Sequence, residues 1–448
     1  MNAVLVRRKE LLTPLARDAS EAGNLQEPMK FPLVLLVASI QVRLLPRLCV
    51  ALLLGVILQM VPGLALATEP PNFVRQKTWN AAQILTLTPL LRSADVSVIE
   101  SKAGGELKEI STFSLVAASP EIVRSALLAR EPLDGSDSQT KDAAIPLIPL
   151  SSFERDFAID LGMLFRKGRN HYELLPADTD AAAAPVQVYE VVRNQESGSY
   201  QRWEFYGAAG ATLVVLSGYT PVLHSHGVFG LLAERIAQIE HGVALVVQQA
   251  ILQSVKQRAE AAMGAPPLMP AAGSADYSFL LARGVVVALR TQAGHVTESS
   301  LSAQIPASPE TVGALIKEPS RWSQFMPSIA RSVEMTSDTD LQAVELTQVI
   351  PLLRLQTFFG LRSFGDSLDM LGKKGDLRGA RLRFDLQPGS ASSSVLVLRS
   401  QLPLAKRSTL LRYVLKAEPL LEPALHLGFL LPMLRGLQLE AEKLAVTK

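Results

Sequence analysis

Cysteine is almost absent from this sequence. The chain of 448 residues contains one cysteine, Cys49, and none from residue 68 onward. The long C-terminal body therefore has no disulfide, no cysteine metal site and no cysteine nucleophile. A body without cysteine is compatible with an oxidising compartment but does not require one.

Charge is also scarce. Charged residues make up 19% of the chain and apolar residues 48%, with a formal net charge of +2. Residues 1–67 hold seven Lys/Arg and four Asp/Glu, so the remainder carries 37 minus 38, or −1. No basic patch remains that would predict a nucleic-acid partner. The apolar content favours large cores or cavities over a disordered chain.

Catalytic signatures are missing as well. The sequence has no G-x-S-x-G, P-loop, G-x-G-x-x-G or H-E-x-x-H motif. His224 and His226 are spaced as a strand-borne metal pair would be, but no carboxylate follows until Glu234. We interpret the pair as polar loop residues. The other histidines are isolated and are expected to be structural or exposed: His171, His241, His295 and His426. The sequence thus predicts no catalytic residue, no metal and no cofactor.

The N-terminal region has the pattern of a secretory signal. An apolar run over 48–58 follows Arg43 and Arg47 and leads to Ala65-Leu66-Ala67. This predicts cleavage after Ala67 and a periplasmic or secreted protein. The alternative is an uncleaved anchor to the inner membrane, because 48–67 approaches the roughly 20 residues of a spanning helix. Either Met1 or Met29 could be the start of the translated chain.

An internal repeat sets the domain organisation. Residues 105–123 align with 294–312 at an offset of 189, which matches Ser119-Pro120-Glu121 to Ser308-Pro309-Glu310. Toward the C-terminal ends the offset becomes 182. We predict a leader over 1–67, a divergent domain over 80–262, a linker over 263–274 and a second domain over 275–448. The linker region is rich in Pro, Gly and Ala.

The second copy has a complete pattern of elements. Residues 296–305 alternate as a strand, Ser308 and Pro309 suit the start of a helix, and Trp322, Phe325 and Met326 follow as an apolar cluster. Short strands separated by turns then lead to one helix with an apolar stripe over 421–437. Pro432 should kink or split that helix. The pattern predicts an α+β fold in which one long C-terminal helix caps an antiparallel sheet.

The W-x-x-F-M-P sequence at 322–327 and the strand G-D-L-R-G-A-R-L-R-F at 375–384 resemble the helix-grip superfamily, also called SRPBCC. That superfamily includes START domains, polyketide cyclase/dehydrase-like proteins and coenzyme Q-binding proteins. The resemblance implies two helix-grip domains, each an antiparallel sheet wrapped around a long C-terminal helix, with an apolar cavity between the sheet and the helix. The first copy departs from the family pattern, because it lacks W-x-x-F-M-P and has polar inserts at 134–142 and 176–185. It lacks the aromatic cluster, and its Val/Ile-rich helix should run straight and pack closely on its sheet, so we expect the larger cavity in 275–448. The cavity candidates are Trp322, Phe325, Met326, Phe364, Leu382, Phe384, Leu421 and Leu425.

Three functions compete. The first is an exported protein that holds a lipid, a quinone or another hydrophobic small molecule for transport or shielding, with a membrane surface as a further partner. The second is an enzyme similar to the cyclase/aromatase branch, acting on a polyketide or fatty substrate and recruiting Asp366, Asp369 and Arg383. The third is a structural protein whose cavities are filled by side chains. Arg381 and Arg383 belong either to a solvated sheet face or to a site for a lipid head group.

Overall fold

The computed structural model describes fourteen stretches of the chain, all within the unit Gly63–Lys448. They are residues 79–102, 105–128, 152–160, 165–175, 186–192, 200–219, 237–264, 275–292, 295–326, 332–337, 340–344, 356–389, 392–403 and 421–446. The predicted leader, the histidine pair at 224 and 226 and most of the linker lie outside them.

The described part contains fifteen strands, eight α-helices and a 3-10 helix over Pro319–Arg321. The strands are β1 (Asp95–Ser101), β2 (Leu107–Val116), β3 (Ser152–Asp160), β4 (Phe165–Leu175), β5 (Val186–Val192), β6 (Tyr200–Ala208), β7 (Ala211–Tyr219), β8 (Val285–Gln292), β9 (His295–Ile305), β10 (Ser332–Ser337), β11 (Asp340–Val344), β12 (Gln356–Phe364), β13 (Ser367–Gly375), β14 (Arg381–Pro388) and β15 (Ser394–Gln401). The helices are α1 (Ala81–Leu85), α2 (Thr88–Leu91), α3 (Pro120–Leu128), α4 (Ala237–Met263), α5 (Ser278–Leu281), α6 (Pro309–Lys317), α7 (Trp322–Phe325) and α8 (Leu421–Val446).

All fifteen strands belong to one antiparallel sheet, which confirms the α+β class. Their order is β10-β11-β12-β13-β14-β15-β9-β8-β1-β2-β7-β6-β5-β4-β3. We call β1–β7 the N-terminal half and β8–β15 the C-terminal half. The halves meet where β1 pairs with β8, with Ser97 opposite Val287 and Val98 opposite Val286. Because the sheet is continuous across this junction, the division into two domains stays a prediction.

Local sequence signals explain the first helix of the C-terminal half. Ser308 caps α6 by accepting a hydrogen bond from the backbone N–H of Thr311 at 3.4 Å, and Pro309 occupies the first turn, as the sequence predicts. Val312, Leu315 and Ile316 are buried on one side of α6. The apolar spacing therefore turns this helix toward the sheet.

The C-terminal helix α8 is continuous over Leu421–Val446 with Pro432 inside it. Of the two effects expected of Pro432, a kink or a split, the split is wrong. Proline removes one backbone hydrogen bond of a helix, but Leu431, Met433 and Leu434 around it are buried. Burial of these apolar side chains offsets the missing bond.

The two long helices cover the inner face of the sheet. Val243 and Val246 of α4 share one apolar core, the inner core, with Leu427 and Leu430 of α8 and with inward residues of β8 and β9. A Cβ atom at Gly242 would stand 3.3 Å from the Cβ of Leu427, so glycine allows the close approach of α4 and α8. The outer face near the β1–β8 junction is covered by α1, α2 and α5.

Candidate functional site

The candidate site lies between α8 and the C-terminal half of the sheet. Trp322, Met326, Leu382 and Phe384 are all buried there, within the inner core. The rings of Trp322 and Phe384 have centroids 5.4 Å apart and are tilted by 49°. Four of the predicted residues are thus brought together, and what they line stays a prediction.

The short helix α7 is fixed against its neighbours by two contacts. The indole Nε1 of Trp322 donates a hydrogen bond to the carbonyl oxygen of Leu315 at 3.2 Å. A Cβ atom at Gly436 of α8 would lie 2.5 Å from Cγ of Met326 and 2.7 Å from the carbonyl oxygen of Phe325. The absence of a side chain at Gly436 therefore lets α7 sit directly on α8.

The remaining predicted residues have different positions. Phe325 and Leu425 are half-buried and pack against the inner core. Phe364 lies outside that core, at the end of β12, where it is 45% exposed and the guanidinium carbon of Arg362 is 4.4 Å from its ring centroid. Its position beside the β12–β13 turn takes it away from α8. The side chain of Leu421 is outside the described part.

A small polar group lies inside this apolar layer. The Nδ1 atom of His426 on α8 is 3.3 Å from the hydroxyl of Ser299 on β9, which is 2.8 Å from the hydroxyl of Ser400 on β15. His426 and Ser299 have no exposed surface, and Ser400 is 1% exposed. Among the described residues, Nε2 of His426 has no hydrogen-bond partner. Buried polar atoms are nearly always hydrogen-bonded in folded proteins, so this atom requires an explanation.

Burial keeps the His426 imidazole uncharged. Desolvation lowers the pKa of His426 to about 4, against a smaller opposing effect of the Leu402 backbone. One turn earlier on α8, the buried carboxylate of Glu422 is 2.9 Å from Nδ1 of the exposed His295. Because His426 is uncharged, the polar group that it forms with Ser299 and Ser400 consists of one neutral imidazole and two hydroxyls.

Sequence reasoning missed this group. His426 was expected to be structural or exposed, and neither serine was singled out. Ser299 and Ser400 share the inward phase with Leu301 and Leu398, and His426 follows Leu425 on the apolar stripe of α8. The signal that could have revealed this group is the presence of a polar residue at an inward position of both strands and of the helix.

Other candidates do not join this site. His241 on α4 is also buried, and desolvation, aided by Arg435, lowers its pKa to about 4. The carboxylate of Asp366 lies 3.5 Å from Nζ of Lys317 near the β12–β13 turn, and Asp369 and Arg383 point to the outer face. In the part of the chain that the structure describes, no group of His, Asp and Glu could hold a metal ion.

Several solved structures are similar to parts of this chain. A START superfamily protein from Mycobacterium smegmatis is 14% identical over 33% of this chain and 98% of its own, with a TM-score of 0.28. A STAR-related lipid transfer protein from Xanthomonas axonopodis is 14% identical over 36% of this chain and 94% of its own, with a TM-score of 0.27. A di-domain ARO/CYC protein from the steffimycin biosynthetic pathway is 12% identical over 75% of this chain and 99% of its own, also with a TM-score of 0.27.

No protein-family model and no curated protein matches the sequence. None of the helices in the described ranges is long and apolar enough to span a membrane.

Proposed function

We propose that this protein binds a hydrophobic small molecule that carries an uncharged polar head, in the layer between α8 and the C-terminal half of the sheet. The observation that supports this is the neutral polar group formed by His426, Ser299 and Ser400 inside an apolar interior. Small-molecule sites are mostly apolar with a few placed polar groups, and this arrangement has that composition.

Energetics favour an occupant that uses the free imidazole atom. A buried polar atom without a partner costs about 1–3 kcal/mol. A hydroxyl or carbonyl oxygen bound at Nε2 of His426 would remove that cost, and its hydrocarbon part would pack on neighbours such as Phe384. Because the pKa of His426 is lowered, the imidazole is neutral near pH 7 and favours an uncharged head over a carboxylate. An alcohol, a quinone and a neutral lipid all fit this description.

The wider proposal is that the chain is an exported protein of two helix-grip domains. Within each half, the strand order along the sheet follows one scheme: the first two strands are neighbours, and the last strand of the half pairs with the second. Each half is followed by a long helix on the inner face, α4 or α8. These features support two copies of one fold, and the apolar run before Ala67 supports export.

Native mass spectrometry of the full chain, purified from its own membrane fraction, tests the binding proposal. We expect an added mass that organic solvent extracts and that corresponds to an uncharged amphiphile. In His426→Leu this mass should be lost or reduced by about tenfold or more, because the polar head loses its partner.

Ser97→Ala provides the matched control. The hydroxyls of Ser97 and Thr112 lie 3.0 Å apart and are buried on strands of the N-terminal half, so this variant also breaks a buried hydroxyl pair. It should retain the added mass. Equal loss in both folded variants, or no added mass in the wild type, would refute a site at His426.

A further inference from the structure

The outer face of the C-terminal half carries an open, basic groove. Its volume is about 790 Å3, and strands β8, β9 and β12–β15 contribute its lining. Six basic side chains line it: Arg290, Arg362, Lys373, Arg381, Arg383 and Arg399. Glu298 and Asp369 line it too, and Asp385 contacts Arg383 and Arg399, so six cations and three carboxylates leave a charge of +3.

Strand pairing concentrates this charge. Arg362, Asp369, Arg383 and Arg399 stand directly opposite one another on four successive strands. Arg383 and Arg399 are like charges at paired positions, which alone would be unfavourable. Asp385 accepts hydrogen bonds from both, at 2.7 Å from Nε of Arg383 and 2.9 Å from Nη1 of Arg399. The carboxylate of Asp385 therefore binds both guanidinium groups, although the side chains of Arg383 and Arg399 are 49% and 46% exposed.

The N-terminal half contains a similar arginine–carboxylate cluster, which is buried instead of exposed. On β6, Nε of Arg202 donates to Glu204 at 2.6 Å, as Arg383 does to Asp385 on β14. Glu109 on β2 takes the place of Glu298 on β9. The N-terminal cluster is at most 3% exposed, and Trp79 lies over it, with its indole Nε1 3.4 Å from the hydroxyl of Ser217.

The two clusters differ, among other positions, at the residue that the last strand of each half places opposite the central arginine. Ser217 faces Arg202 in the N-terminal half, whereas Arg399 faces Arg383 in the C-terminal half. The exchange of a hydroxyl for a guanidinium adds one positive charge to an open cluster. A neutral indole lies over the covered cluster, whereas the open groove as a whole has a charge of +3 and suits an anion.

Two large apolar side chains accompany the basic ones. Leu371 lines the groove and is 45% exposed, and Phe364, equally exposed, lies under the guanidinium of Arg362. Cationic groups beside exposed apolar side chains match the interface of an anionic bilayer, where the cations meet phosphates and the apolar groups enter the head-group region.

We propose that this groove docks the protein on an anionic membrane surface. The docking face is opposite to the face that carries α8 and His426, so the proposal does not depend on the ligand site. It concerns the surface of the C-terminal half alone, with Arg362 and Arg381 as the exposed cations that meet lipid phosphates.

Vesicle flotation of the full chain tests this. The vesicles are phosphatidylcholine, with or without about one third phosphatidylglycerol. The double variant Arg362→Glu, Arg381→Glu should bind the anionic vesicles at least about tenfold less than the wild type, because each substitution replaces a cation that the surface attracts with a carboxylate that it repels. The double variant Arg92→Glu, Lys102→Glu makes the same charge change at exposed sites outside the groove and should bind as the wild type does. All chains share the same N-terminal region, so their differences report on the groove.

Apolar variants separate a membrane from a soluble anion. Leu371→Ser with Phe364→Ser should also weaken vesicle binding. If this variant binds in full while millimolar inorganic phosphate displaces the wild type, the groove is a site for a soluble anion and docking is refuted. Equal binding of the wild type and Arg362→Glu, Arg381→Glu, or equal binding to neutral and anionic vesicles, would also overturn the proposal.

Discussion

At the scale of single residues, the two arginine clusters allow a controlled comparison of burial. Arg202 is 2% exposed between Glu109 and Glu204, whereas Arg383 makes the same contact with Asp385 while 49% exposed. Removing one partner of a buried ion pair leaves an uncompensated charge without water. An exposed pair contributes little because solvent screens it.

Arg202→Leu should therefore lower the free energy of unfolding by about 3–5 kcal/mol. Arg383→Leu should lower it by about 1 kcal/mol or less. Urea unfolding of the two variants beside the wild type measures both values. Losses of equal size would mean that the N-terminal cluster is hydrated in solution.

The buried histidines predict acid sensitivity. The pKa of His241 and of His426 is about 4 in the fold, compared with about 6.5 for an unfolded histidine. Between these values the unfolded chain binds protons that the folded chain does not, so stability is complete above about pH 6.5 and falls as the pH drops toward 4. Each histidine contributes up to about 3 kcal/mol to that loss.

Thermal unfolding between pH 7.5 and 4.5 measures this effect. His426→Leu should show a shallower fall in Tm than the wild type, because one of the two groups no longer takes up a proton on unfolding. The same slope in both proteins would show that His426 is solvated or already protonated in the fold.

Burial of Trp322, Met326, Leu382 and Phe384 could be predicted from sequence because each lies on a periodic apolar pattern. The role of His426 could not. Its partner Ser299 is 127 residues away, and a single histidine on an apolar stripe does not indicate which strand it faces. The exposed position of Phe364 could not be predicted, because a strand pattern does not show where the hairpin turns.

At the scale of elements, α6 was predictable because its cap, its proline and its apolar face are all local. The contact between α7 and α8 was not, because it depends on an empty space at Gly436 that only the packed helices reveal. Glycine inside a helix costs roughly 1 kcal/mol relative to alanine, so its presence there indicates a packing requirement.

Gly436→Ala should consequently lower the free energy of unfolding by about 1–3 kcal/mol, even though alanine is the better helix former. The added Cβ would meet Met326 and the backbone of Phe325. Gly207→Ala is the control, since a Cβ there has no neighbour within 4 Å. Chemical denaturation compares the two; a stabilised Gly436→Ala would mean that α7 does not rest on α8.

At the scale of the whole molecule, the repeat predicted two units but not the continuous sheet. Pairing of β1 with β8 depends on two strand edges from separate parts of the chain, and neither edge carries a local signal. The junction also needs Gly284, where a Cβ would clash with the carbonyl oxygen of Ile99.

The shared inner core predicts that the halves unfold together. Residues of α4 and α8 belong to one apolar cluster, so the wild type should show a single calorimetric transition. Gly284→Val should loosen the junction and separate the transition into two. Two transitions in the wild type would indicate independent halves.

The central claim is that an uncharged amphiphile lies between α8 and the sheet. Photo-crosslinking of the full chain with a benzophenone-tagged long-chain alcohol, followed by peptide mapping, tests it most directly. We expect the label on peptides of β9, β14, β15 and α8, and at least about tenfold less label in His426→Leu. Label confined to the outer face or to the N-terminal half, or equal label in wild type and variant, would contradict the account.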